Sequence, residues 1–430
     1  MTAVVAILNK QAVALAADSA VTIGDSNNHK IFNKANKVFT LSKFHPVGIM
    51  IYNSASFMST PWETIIKVYR VQLGEKCFPK LKDYQQDFIE FLHKRDFFTD
   101  VETQSAYLED LSYYIINTLI NEIGTAESYL FENKTPENII RILELFEKKI
   151  DDLILIAEQQ TDYCPEFGDY TFESFDSFST SIFDRIIQLY FIPNGIEIQT
   201  GLLLKIKNAI YTVLRKKEAI TSYTGLIFTG FGDDEIYPQL VPINISMAVD
   251  GRLRYFIDEV SEVSISNNLN GAVRPFAQTD VIDTILQGID PNLDQTYLMN
   301  FEKIFQKYNT AILEHIGDTN PVLSQQINEL DNSLIINELQ ELNLQIKREN
   351  YIHPLMNAVS SLSKEDLAEM AESLIYLTYL KRRITFAEES VGGPVDVAVI
   401  SKGDGFVWIK RKHYFRPELN QHFFNNYFKK

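Results

Sequence analysis

Two near-continuous apolar runs open the chain, Ala3 to Leu8 and Ala12 to Ala17, separated by the polar turn Asn9-Lys10-Gln11. Runs of that length and evenness predict strands buried on both faces. A hairpin so built sets the residue after the second strand beside the residue before the first, which brings Asp18 next to Thr2. A polar stretch read as a loop comes next, and Lys37 opens a third strand-like run, Val38-Phe39-Thr40-Leu41. Val47 to Tyr52 predicts a fourth strand, with Asn53-Ser54-Ala55-Ser56 as its exit. Ser59-Thr60-Pro61-Trp62-Glu63 then has the proline and early acid of a helix start, and Ile65, Ile66, Val68 and Tyr69 share one face of the helix.

From about residue 73 to 219 the period changes to three and four. Leu108 to Ile123, Pro136 to Ala157, Ser177 to Tyr190 and Gly201 to Lys216 read as amphipathic helices, with Tyr163 to Asp176 as an aromatic and acidic loop among them. Strand character returns at Ser222 to Gly230, at Pro238 to Met247, whose alternation predicts a half-buried strand, and at Leu253 to Val260. Asn268 to Phe276 reads as a loop, and residues 289–361 as a second helical stretch with a long helix from Val322 to Arg348. Ser363-Lys364-Glu365-Asp366 starts a helix that runs to about Arg383. Val395 to Ile400, the turn Lys402 to Gly405 and the strand Phe406 to Lys410 predict a closing hairpin, followed by a basic, aromatic tail. The division expected is 1–72, 220–288 and 362–412 for a sheet-bearing core, helical insertions at 73–219 and 289–361, and a tail at 413–430.

Composition narrows the function class. With 430 residues, 45% hydrophobic and 23% charged, the chain reads as a globular protein with a substantial core. A net charge of −17 disfavours nucleic acid and anionic membrane surfaces as partners, since phosphate binding rests on clustered Lys and Arg. No run approaches the roughly 18 apolar residues of a spanning helix, and the start lacks a secretory pattern. Cys77 and Cys164 form no spaced cluster, so a reducing, cytoplasmic setting is expected. The seven histidines are scattered, and the acidic Asp233-Asp234-Glu235 lacks a spaced partner, so neither metal nor cofactor is expected.

The chemistry concentrates at the start. If an aminopeptidase removes Met1, Thr2 carries a hydroxyl and a free α-amine, so nucleophile and base sit on one residue. The reference pKa of such an amine, near 7.7 to 8.0, falls within reach of cellular pH when a nearby cation disfavours its protonation. A lysine and an acid close to Thr2 are therefore the residues to look for.

Thr2, the strand-ending Ala17-Asp18 and Lys37-Val38-Phe39 together resemble the N-terminal threonine hydrolases of proteasome β-subunit type, including bacterial proteasome-like peptidases. Lys37 stands a few residues further along than is usual there; Lys34 is closer in separation but lacks the following strand and ranks second. A second match is the closing segment Ala387 to Ile400, with an acid, a serine, the pair Gly392-Gly393 and an apolar strand. The resemblance covers 1–72, 220–288 and 362–412 in pieces. It implies an α+β, four-layer αββα sandwich elaborated by the helical insertions. It further implies Thr2 as nucleophile, Lys37 paired with Asp18, and a backbone oxyanion donor near Asn53, where the family has glycine. The acid and serine that support the amine fall on Glu388 and on Val391, with Ser390 one residue away, and the family's loop serine falls on Ala272. The activity so implied is peptide hydrolysis in a homo-oligomer, with an unfoldase among the expected partners. The alternatives are a small-molecule amidohydrolase of the same fold and a non-catalytic assembly or scaffold protein.

Overall fold

The structure is a computed structural model that describes residues 2–25, 28–32, 34–94, 100–133, 135–220, 222–316, 323, 325, 327, 332–385, 391–413, 415–422 and 425. It mixes helix and sheet and divides into two interleaved compact units. One holds Met1–Val38, Glu235–Gln239 and Val263–Lys430; the other holds Phe39–Asp234 and Leu240–Glu262.

In the first unit a five-stranded sheet runs in the order Gly271–Ala277, Ala3–Asn9, Ala12–Ala17, Asp396–Ser401, Gly405–Lys410, each neighbour antiparallel. Ala3–Asn9, Ala12–Ala17 and Asp396–Ser401 are buried along their whole length. On one face Ala3, Val5, Ile7, Ala12, Ala14 and Ala16 pack with Val359, Leu367, Ala371, Leu374 and Ile375 of the helices His353–Ser361 and Lys364–Ile384. The alanines lie flat, which lets helix backbones approach the sheet closely; a Cβ at Gly271 would stand 3.0 Å from the Met356 carbonyl oxygen. The buried Asn9 amide donates to the carbonyls of Val359 and Leu362 at 3.1 and 2.9 Å, satisfying carbonyls at the end of one helix. The next starts at once, its Ser363 and Asp366 forming a reciprocal capping box. Asp280 ties the helix Asp280–Gln287 to it, accepting from Lys381 at 3.0 Å and from Arg382.

Three expectations change in this unit. The polar stretch before Lys37 is a two-stranded hairpin, Val21–Asp25 with Asn28–Phe32, rather than a loop. Asn268 to Phe276 is mostly a strand, Gly271–Ala277, paired with Ala3–Asn9 along its length. Of the long helix expected over 322–348, the described continuous part is Ser333–Lys347.

In the second unit the strands Arg252–Ile257, Gln239–Val249, Thr224–Gly230, Val47–Asn53 and Val38–Thr40 lie side by side. Trp62–Leu73 and Leu81–Lys94 cover one face through Trp62, Ile65, Ile66, Tyr69, Phe88 and Phe91. Gln239–Val249 is buried almost throughout instead of alternating. The reason is packing on both sides: Val241, Ile243, Ile245 and Ala248 enter that core, while Met247 and Val249 enter a second one. The second core belongs to the helices Val101–Ala126, Pro136–Gln159, Phe172–Ile186 and Thr200–Arg215. The aromatic loop expected to reach Asp176 stops earlier, because Thr171 caps the third of these helices by accepting from the Ser174 N–H.

Arg254 joins helices to sheet within this unit. Fully buried, it donates to the carbonyls of Leu214 and Lys216 at 2.8 and 2.5 Å and to Ser246 Oγ at 3.1 Å. The first two acceptors lie at the C-terminal end of Thr200–Arg215, where unpaired carbonyls and the helix dipole favour a cation.

Candidate active site

The geometry around Thr2 is set by strand register. Val4 pairs with Ala17, so Ala3 faces Asp18, whose N–H donates to the Ala3 carbonyl at 3.1 Å. The Asp18 carboxylate is thereby held against the residue after Thr2. Its Oδ1 accepts the Ala3 N–H at 2.9 Å and Lys37 Nζ at 2.6 Å. Its Oδ2 accepts the N–H groups of Ala20 at 3.0 Å and Gly392 at 3.1 Å. Each oxygen of this carboxylate, which is 1% exposed, thus receives two donors.

Lys37 is sealed in with it. Its side chain is 3% exposed, and Nζ also donates to the Ala20 carbonyl at 2.5 Å. Burial pulls the Lys37 ammonium below the usual lysine range; the Asp18 charge and hydrogen bond oppose that pull, and the Lys412 cation adds to it. Thr2 is 2% exposed and fixed from its other side, its carbonyl accepting the Gln278 N–H at 3.1 Å. Ala277, just before it, takes a left-handed φ of 67°, a conformation uncommon for a residue with a side chain.

The double-glycine segment closes the site from the other end of the chain. Gly392 donates to Asp18 and accepts from the Ser19 N–H at 3.0 Å, and Gly393 has a φ of 77°. Lys34 is exposed, in contrast to Lys37. Glu388 and Ser390 lie outside the described residues. Val391 is buried in the helix-on-sheet core. Asn53 belongs to the other unit, where it ends a strand, exposed, with a φ of 67°. The position assigned to the loop serine needs correcting. Ala272 pairs with Leu8, at the far end of the strand that begins beside Thr2, and it is Gln278 whose backbone reaches Thr2.

Sequence reasoning missed a second ion pair. Asp396 is the first residue of its strand, pairs with Ala17 in register, and is 2% exposed. It accepts the backbone N–H of Lys412 at 2.9 Å and also the Lys412 ammonium. Two acids and two lysines therefore stand at one end of the sheet, and the charges of Lys412 and Asp396 both act on Lys37. The available signal was an aspartate directly preceding Val397 to Ile400, since an acid rarely begins a fully buried strand without a partner.

The arrangement ties a desolvated cation, through the Asp18 carboxylate, to the backbone N–H of Ala3. Such a cation disfavours protonation of any amine close to it and favours negative charge developing there.

No family model matches the chain, and no curated protein matches it. Among solved structures it is similar to the Anbu (Gly-1) mutant from Hyphomicrobium sp. strain MC1, with 10% identity over 99% of this chain and 94% of that one. The TM-score is 0.27, too low for the likeness to carry an argument.

Proposed function

We propose that the chain is a proteasome-like N-terminal threonine hydrolase that cleaves amide bonds of peptides once the bond between Met1 and Thr2 has been cut. The reading rests on one observation above the rest: a buried Lys37–Asp18 pair tied by hydrogen bonds to Ala3, the residue next to Thr2. In the proposed reaction the Thr2 α-amine accepts the hydroxyl proton as Oγ bonds to the substrate carbonyl carbon. The resulting oxyanion is received by a backbone N–H donor. The α-ammonium then gives its proton to the departing nitrogen, the C–N bond breaks, and an ester on Thr2 remains. Water adds to that ester with the amine again as base, releasing a carboxylic acid and restoring the hydroxyl.

Lys37 serves this cycle as a fixed positive charge that keeps the α-amine unprotonated, and Asp18 holds it there. Its own lowered pKa supports the reading, because burial that destabilises one ammonium also disfavours a second beside it. The reading includes a four-layer αββα arrangement of the two sheets, assembly into homo-oligomers, and supporting roles for Glu388 and Ser390.

Intact-mass measurement of the purified protein checks the first step and is expected to give a chain lacking Met1. Thr2→Ala should then abolish peptide turnover and labelling by a threonine-directed electrophile, with a loss of at least a thousandfold in turnover. Retention of Met1 with no turnover would instead support a non-catalytic assembly protein, and turnover of simple amides alone a small-molecule amidohydrolase.

A further inference from the structure

The first unit's sheet ends in Gly271–Ala277, which pairs with Ala3–Asn9 on one side. Along the stretch Gly271 to Pro275 the other side carries no strand among the described residues; it borders a cavity of about 630 Å³. A bare strand edge is a row of unsatisfied donors and acceptors that pairs readily with any extended chain. The walls of this cavity differ between the two faces of the sheet. Val273 lies on the helix-covered face, with Leu286 and Met356 packed there, and Asp283 and His353 also line the cavity. Arg274 pairs with Ala6, and by the two-residue alternation of a strand it belongs to the opposite face.

Arg274 is the informative residue. It is half-buried, and its Nε, shut from water, has no hydrogen-bond partner among the described residues. Polar groups shut from water in folded proteins nearly always find a partner, and a guanidinium matches a carboxylate in two parallel hydrogen bonds. The chain carries a net charge of −17, so a cation lining this cavity is a local exception to a surface that repels acids.

We propose that this edge is a docking site for an extended acidic peptide segment that adds a strand beside Gly271 to Arg274 and delivers one Asp or Glu carboxylate to Arg274. Alternation fixes the pattern required of the segment. The residues either side of the acid face Leu286 and Met356 and are apolar, so the motif is apolar-acid-apolar. Pro275, which has no N–H, limits how far the added ladder extends. Asp283 shares the cavity and repels a run of several acids, which selects for a single one. This site is separate from Thr2: Val273 pairs with Ile7, five residues along the strand, or roughly 16 Å at about 3.3 Å per residue.

The test uses the full chain carrying Thr2→Ala, so that no peptide is consumed and the result is independent of the proposed hydrolysis. Isothermal titration calorimetry compares acetyl-Val-Glu-Val-Ala-amide, the same peptide with glutamine for glutamate, and the glutamate peptide with backbone N-methyl groups. The glutamate peptide should bind at least tenfold more tightly than the glutamine one, and the N-methylated form should not bind. Arg274→Ala should lower the glutamate peptide to the level of the glutamine peptide, Arg274→Lys should keep part of the preference, and Asp283→Asn should tighten binding several-fold. Equal affinity for the two unmodified peptides, or binding that survives N-methylation, overturns the proposal. So does the absence of binding by a chain whose thermal melt is unchanged, or displacement by sodium acetate at the peptide's own concentration.

Discussion

Asp18 gathers donors from four parts of the chain: Ala3, Ala20, Lys37 and Gly392. Removing the Lys37 charge leaves this buried carboxylate with backbone donors alone. Lys37→Met should therefore destabilise the first unit by about 3–5 kcal/mol, the range for breaking one partner out of a buried pair, as read from urea denaturation. The pH dependence has a definite sign. Burial holds the folded-state pKa of Lys37 below its unfolded value near 10.4, so between the two the unfolded chain binds more protons and stability rises with pH. The wild-type urea midpoint should accordingly shift upward from pH 8 to pH 10 relative to that of Lys37→Met; an equal or smaller shift would contradict the assignment. The meeting of Asp18 with Lys37 and with the residue after Thr2 was legible because each stands at the edge of an apolar strand, where a polar residue is conspicuous. Gln278 was not, since its contact with Thr2 runs through a backbone group placed by a pairing hundreds of residues away, nor was Lys412, which meets Asp396 across the closing hairpin 16 residues apart.

At the scale of elements, periodicity served best where a segment is apolar on every side or on one helical stripe. Ala3–Asn9, Ala12–Ala17 and the helices of the second unit are of that kind. It failed at Gly271–Ala277, where Asn268-Leu269-Asn270 and an internal proline read as a loop. An edge strand tolerates proline because one row of its backbone groups has no ladder to join. The hairpin Val21–Asp25 with Asn28–Phe32 was hidden in the same way, by polar residues in a segment with little apolar pattern. Arg254 shows a contact no pattern could give, a strand arginine closing the end of a helix about forty residues earlier. Arg254→Met should destabilise the second unit by about 2–4 kcal/mol, since the two carbonyls and Ser246 lose a charged donor. Amide hydrogen exchange should localise the loss to Thr200–Arg215 and the adjoining strands, and an unchanged exchange pattern would count against this role.

Over the whole molecule, the sequence order conceals the units. Each is assembled from segments far apart in the chain, and the second is drawn from residues lying between parts of the first. Ala12–Ala17, central in its sheet, has Ala3–Asn9 as a local neighbour and Asp396–Ser401 as a remote one. Hydrophobic patterning identifies such strands but carries no information on which remote segment fills which edge; that is settled by burial and register together. A chain ending at residue 385 lacks both Gly392 and the strand Asp396–Ser401, and its central strand should have an open edge. Such a truncation is expected to lose exchange protection across Ala12–Ala17 and to associate through the exposed strand, as size-exclusion chromatography would report.

That pairing also sets a clock for biosynthesis. The hairpin that follows Thr2 leaves the ribosome before either of its flanks, one of which waits for residues 271–277 and the other for residues 396–401. At about 5–20 residues per second, the interval before the last partner emerges is on the order of tens of seconds. During that interval the strand after Thr2 lacks its outer partner, and the Gly392 amide that completes the cradle around Asp18 is made 374 residues after the carboxylate it binds. The residues around Asp18 are thus made early and brought together late, once there is a finished sheet to hold them.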